Sequence, residues 1–178
     1  MSSALEPTRR LFIGLMPDAS VQAAIDVQRQ AWHWPPGCRL TRPQRMHLTL
    51  HFLGQVDPMR AAALQDALAK APMSELALVL GAPQVWRNHV AVLLAQEHEG
   101  LRALHAGLAL QLVRAGLVPA RARWPPPVTV ARDAAGAGAP ADPQPIRWRV
   151  AAFALVWSRL APDWRHEVLA RYPASGLP

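Results

Sequence analysis

Apolar and polar positions along this chain change period several times, and each change predicts an element. Residues 10–16 are a short, nearly continuous apolar run closed by Pro17 and Asp18, the pattern of a buried strand. Beyond it Val21, Ala24, Ile25 and Gln28 recur at helical spacing. Asp18 or Ser20 is placed to cap a helix running to residue 32, and Pro35, Pro36 and Gly37 stop it. Over residues 45–53 the period becomes two. Met46, Leu48, Leu50 and Phe52 fall on one face, read as core, and His47, Thr49 and His51 on the other. Gly54 ends this strand, and residues 58–71 read as a helix with Pro58 in its first turn.

Residues 75–80 and 89–95 are β-leaning runs around a turn containing Trp86, Arg87 and Asn88. Leu101, Leu104, Leu108 and Leu112 form one stripe of a helix over residues 100–115, stopped by Gly116. A short strand over residues 128–131 follows Trp124, Pro125, Pro126 and Pro127. Residues 134–145 are rich in Ala, Gly and Pro and predict a mobile surface loop. Residues 147–158 read as one long strand, and residues 166–171 as a last one. Each half of this order feeds a polar-faced strand, which predicts a pseudo-duplicated, two-lobed α+β fold with helices covering the sheets. No linker divides the chain, so residues 1–178 are expected to form a single domain.

Composition narrows the classes. At 178 residues the chain can bury a sizeable core. No apolar run reaches the roughly 18 residues that a bilayer demands. Residues 1–7 lack the basic-then-apolar order of a secretory signal, and the lone Cys38 cannot form an internal disulfide. A soluble, cytoplasmic protein with no membrane partner is expected. The net charge of +7 is carried almost wholly by arginine, since Lys70 is the only lysine. Arginine forks bind phosphate oxygens and a basic surface attracts polyanions. GC-rich coding gives the same arginine excess, so the charge permits a nucleic-acid partner without establishing one.

The chemistry gathers on two tetrapeptides. His47-Leu48-Thr49-Leu50 puts an imidazole and a hydroxyl on one strand face, and Pro127-Val128-Thr129-Val130 repeats the pattern with proline in the imidazole's place. Opening a cyclic phosphodiester needs a base for water, an acid for the departing oxygen, and donors for the charge on the other oxygens. Histidine suits the first two, threonine and arginine the third. Taken alone, His-x-Thr is also what the solvated face of a half-buried strand looks like. There is no phosphate-binding glycine loop, no paired-cysteine or His-Glu metal motif and no serine elbow.

Met46-His47-Leu48-Thr49-Leu50-His51-Phe52-Leu53-Gly54 and Pro127-Val128-Thr129-Val130-Ala131-Arg132-Asp133 carry a resemblance that spans nearly the whole chain. With the opening strand, Trp86 and the strand after it, and the strand at Phe153, the chain resembles the bacterial RNA 2′,3′-cyclic phosphodiesterase family. That family is also called the 2′-5′ RNA ligase family, within the two-histidine phosphoesterases. The resemblance implies antiparallel-rich sheets lining a central cleft, no metal and no cofactor. It implies His47 as general acid, Thr49 and Thr129 as phosphate holders, and Arg132 as a substrate-binding residue. It also implies a histidine where this chain has Pro127, a degenerate catalytic position.

RNA ends or nucleotide cyclic phosphates are the expected partners of an expected monomer. The competing expectation is a non-catalytic protein that binds RNA ends or nucleotide phosphates on the same fold. His51, about 13 Å along the strand from His47, is expected at the cleft or its rim, too far to share a phosphorus or a zinc with it. His89, His98, His105 and His166 read as surface or helix-face residues. Trp86, Trp124 and Phe52 are candidates to stack on a base, with core packing the better reading for Phe52. Arg42 and Arg45 flank a basic mouth, and Cys38 has no partner that would make it a nucleophile.

Overall fold

In the computed structural model, which describes residues 8–121 and 123–175, the chain makes the same strand–helix–strand passage twice. It runs β1 (Arg9–Leu15), α1 (Ala19–Gln30), β2 (Arg39–Leu40), a 3₁₀ turn (Pro43–Arg45) and β3 (Leu48–Val56). Next come α2 (Pro58–Leu68), β4 (Leu76–Val85), β5 (Ala91–Ala95), α3 (Glu99–Arg114) and β6 (Pro127–Arg132). β7 (Ile146–Val150), β8 (Ala152–Ser158) and β9 (His166–Pro173) complete it. The passages β1–α1–β3 and β5–α3–β6 are the two halves of the pseudo-duplicated α+β fold. The leader reading of residues 1–7 lies outside the described residues. Among those described, no helix is long and apolar enough to cross a membrane.

The strands pair antiparallel in the order β7-β4-β5-β6-β3-β1-β8-β9, with β2 added to β6. Between β3 and β6 the pairing narrows to Leu48 opposite Val128. A five-stranded and a four-stranded lobe therefore meet at a short seam, and both tetrapeptides lie on it.

The single strand expected over residues 147–158 is in fact two. Ala151 interrupts it: β7 pairs with β4 at one edge of the sheet, while β8 pairs with β1 in the other lobe. One residue bridges those places only because the sheet curls until its ends approach each other. The carbonyl of Ala151 also accepts from the Ala174 amide at 2.7 Å, tying the end of the chain to this crossing.

The helices pack on the outer face. Asp18 accepts from the Val21 amide at 2.9 Å and Asp57 from the Arg60 amide at 2.9 Å, each satisfying a first-turn donor. Ile25, Leu64, Leu68, Leu101, Leu108 and Leu112 are fully buried against Leu11, Ile13, Leu48 and Leu50. Burying each such leucine side chain contributes about 1.5–3 kcal/mol. A second, small cluster of Phe12, Ala154 and Val156 lies apart from this core. The glycine-rich loop is pinned to the end of α1, where His33 and Gly138 exchange two backbone hydrogen bonds of 2.9 Å.

β3 departs from simple alternation, and this corrects two expectations. Ile13 faces His51 and Gly14 faces Thr49, which leaves Leu50 as the extra residue of a bulge. Leu50 and His51 are therefore both buried, and Phe52 turns outward, 39% exposed, with the Arg10 guanidinium 4.9 Å above its ring. His51 does not share the face of His47, and Phe52 is not core. Gly14 makes the bulge possible: a Cβ there would sit 2.8 Å from the Leu48 carbonyl oxygen.

Candidate active site

The seam opens into a cleft of about 540 Å³ on the side of β3 and β6 away from the core. His47, Thr49, Thr129 and Arg132 all line it. With Leu48 opposite Val128 in antiparallel register, Thr129 stands across from His47 and Pro127 across from Thr49. Two strands of opposite direction thus present one imidazole and two hydroxyls to a shared space. Pro127 occupies the fourth corner, beside Thr49, Phe52, Trp86, Arg121 and Arg123.

His47 is held on two sides. Its Nδ1 lies 2.8 Å from the Arg45 carbonyl oxygen, which only accepts, so Nδ1 carries the hydrogen and Nε2 is left to the cleft. Its ring stacks on Phe12, with centroids 4.4 Å apart and planes at 28°. Burial pushes its pKa down to about 4, helped by the positive charges of Arg45 and Arg132, while the bond to the Arg45 carbonyl works the other way.

The cleft is basic. Arg39, Arg42, Arg45 and Arg132 line it, with Asp163 as the carboxylate on its wall. Asp133, a conceivable partner for Arg132, pairs instead with Arg39. Burial, together with Arg132 and Arg42, pulls the Arg45 guanidinium below its usual range, and its Nε is buried without a partner. Arg29 fixes the loop that carries these cations. Its buried guanidinium donates to the carbonyls of Thr41 and Val130 and pairs with Asp26. Crowded guanidiniums around a concave site favour an anionic occupant with forked oxygens.

His166 was not identified from the sequence as a site residue, yet it lines this cleft. Its ring meets that of His47 edge-on, centroids 4.7 Å apart and planes at 80°. It also stands edge-on to Phe12 at 5.1 Å. Only the curl of the sheet brings the start of β9 beside the entrance to β3, and no local pattern announces that. Trp164 was missed likewise. It lies on the cleft wall, 50% exposed, in the left-handed region at φ 43°, with the Arg45 guanidinium 5.9 Å from its ring. A bulky residue held there is strained, and such strain gathers at functional sites.

The other candidates separate. Trp86 and Phe52 line a side trough that shares Thr49 with the cleft. Trp124 is occupied elsewhere: its indole N–H donates to Glu97 at 2.9 Å and its ring packs edge-on against His105. His51 lies on the core side, its Nε2 2.9 Å from the His105 carbonyl oxygen and its ring stacked on that of His105 at 4.1 Å. Burial lowers the pKa of both. Burial and the charge of Asp133 raise that of the Cys38 thiol, away from a reactive thiolate. Among the described residues no three His, Cys, Asp or Glu side chains converge as a metal would need.

Comparison with known proteins points the same way. A family model described as LigT like Phosphoesterase matches residues 15–92. The RNA 2′,3′-cyclic phosphodiesterase of Escherichia coli (strain K12) is 30% identical over 132 residues, 72% of this chain and 74% of that protein. A phosphoesterase crystal structure superposes with a TM-score of 0.84 at 29% identity, over 96% of this chain and 100% of that one. Apo E. coli LigT does so with a TM-score of 0.81 at 27% identity, over the same shares. LigT has also been crystallised with phosphate and with 3′-AMP.

Proposed function

The chain belongs to the LigT-like phosphoesterase family, and from that premise we propose that it hydrolyses 2′,3′-cyclic phosphate ends of RNA to 2′-phosphates. The observation that carries this is the convergence of His47, Thr49, Thr129 and Arg132 on one basic cleft. Phosphate and 3′-AMP, ligands of E. coli LigT, have the chemistry this cleft accepts.

In the proposed reaction the cyclic phosphate lies across the seam. The hydroxyls of Thr49 and Thr129 donate to its non-bridging oxygens, and Arg132 balances its charge. Water attacks phosphorus, the bond to O3′ breaks, and Nε2 of His47 gives that oxygen its proton. The phosphate anion beside His47 raises the imidazole's pKa, so that the ring is protonated when it is needed. Only side chains take part. The protein acts as a monomeric, single-domain cytoplasmic enzyme on RNA ends or nucleotide cyclic phosphates.

Pro127 favours a second reading. Proline carries no ionisable group, and loss of one proton-transfer catalyst costs about 10²–10⁴-fold in rate. On that reading the cleft binds RNA ends or nucleotide phosphates without turning them over. An RNA oligonucleotide ending in a 2′,3′-cyclic phosphate separates the two. Conversion to the 2′-phosphate by the natural chain and not by His47→Ala supports the enzyme. Equal background rates from both, with the oligonucleotide still bound, support the binding protein.

A further inference from the structure

The corner occupied by Pro127 holds no group that takes a proton at neutral pH; around it stand Thr49, Phe52, Trp86, Arg121 and Arg123. A base must come from another part of the cleft, and among the described residues that line it His166 is the one imidazole besides His47. We propose that His166 is a catalytic residue, the base that takes the proton from the attacking water in place of a histidine at position 127.

Four observations carry this. Nε2 of His47 faces the cleft, since Nδ1 is given to the Arg45 carbonyl. The ring of His166 stands 4.7 Å from that of His47, edge-on to it. An imidazole nitrogen exchanges protons over about 2.6–3.2 Å, and rings this close border the same phosphate-sized space. Phe12 is their common floor, stacked on His47 and edge-on to His166, so one side chain sets both positions. Finally, Nδ1 of His166 is buried without a hydrogen-bond partner, and exchange with the cleft therefore runs through Nε2.

The protonation states agree. The charged groups acting on His166 are His47 and Arg45, and Asp163, on the same wall, is paired with Arg159. Burial and those two neighbours push its pKa down to about 3 in the free protein, so the ring is neutral there, and a phosphate anion bound in the cleft raises its proton affinity as it does that of His47. The step balances. Nε2 of His166 removes one proton from water as the water oxygen bonds to phosphorus. The P–O3′ bond breaks with its electron pair on O3′, and the proton on Nε2 of His47 completes the 3′-hydroxyl. The cycle closes when His166 loses its proton to solvent and His47 regains one.

The assignment rests on the phosphodiesterase function proposed above, and one set of variants tells their failures apart. Hydrolysis of 2′,3′-cyclic AMP is measured across pH for the natural chain, His47→Ala, His166→Gln and His166→Asn, with thermal midpoints and inorganic phosphate binding as controls. Both His166 variants are expected to lose about 10²–10⁴-fold in kcat and one limb of the pH profile, with phosphate affinity kept within a few fold. Adding Pro127→His to His166→Gln is expected to return activity, because it puts an imidazole at the opposite corner. A His166→Gln or His166→Asn protein with unchanged kcat and pH profile, beside an inactive His47→Ala, overturns the role of His166 and leaves the phosphodiesterase standing. Equal background rates from the natural chain and His47→Ala overturn both.

Discussion

Phe12 and His47 lie face to face, ring centroids 4.4 Å apart, at the junction of β1 and β3. An aromatic floor both desolvates the imidazole and limits its rotation, so the residue that sets the proposed acid's pKa also sets its aim. Replacing Phe12 by leucine is expected to keep the fold and raise the His47 pKa from about 4 towards the ordinary value of 6.5. Phe12→Ala is expected to cost about 3–5 kcal/mol of stability as well. Proton NMR of the histidine ring across pH, with chemical denaturation alongside, reads both.

The hydroxyls of Thr49 and Thr129 are proposed to hold the non-bridging oxygens. Thr→Val keeps the β-branched shape and removes the donor, so each single variant is expected to lose about 10²–10³-fold in kcat with little change in stability. A loss confined to KM would show ground-state binding alone.

pH separates the free protein from its complex. The proposed acid must be protonated, and burial pushes the pKa of His47 in the free protein down to about 4, so kcat/KM is expected to fall as pH rises above that value. Once the phosphate anion is bound beside it the proton is held more tightly, and the falling limb of kcat moves to higher pH. Superimposable kcat and kcat/KM profiles contradict this.

Stability follows the same groups with a definite sign. His47 and His166 titrate at about 4 and about 3 when folded, against 6.5 ordinarily. As pH falls below 6.5 the unfolded chain takes up protons that the folded cleft refuses, so stability drops. Each ring contributes at most about 1.4 kcal/mol per pH unit in that window, less for the solvent that reaches it. The urea midpoint is expected to fall between pH 6.5 and 4.5, and His166→Gln to flatten that slope.

His51 gives the opposite kind of outcome. It is buried against His105 on the core side of the sheet, its Nε2 bonded to a carbonyl. His51→Leu is expected to cost about 0.5–1.5 kcal/mol by removing that buried hydrogen bond, with kcat unchanged. A loss of kcat at full stability would place it in the chemistry instead.

The sequence carried the local rules well. The cap at Asp18, the leucine stripe of α3 and the strand–helix–strand repetition are all read from neighbours within a few positions. His47, Thr49, Thr129 and Arg132 reach one cleft because alternation holds from residue 46 to 50 and along β6. Alternation fails at the bulge on Leu50, which sent His51 inward and Phe52 outward, because a bulge depends on the partner strand and its Gly14. Ala151 looked like the middle of a strand, since a crossing between lobes leaves no mark on the hydrophobic pattern. His166 was illegible for the same reason: its neighbours, His47 and Phe12, are distant in the chain and are delivered by the curl of the sheet.

Phosphorus-31 NMR of 2′,3′-cyclic AMP mixed with the natural chain tests the phosphodiesterase function most directly, with His47→Ala as the control. The expected result is conversion to 2′-AMP alone, at a rate that His47→Ala abolishes. A cyclic signal that decays no faster with the natural chain than with His47→Ala, or that yields 3′-AMP, contradicts it.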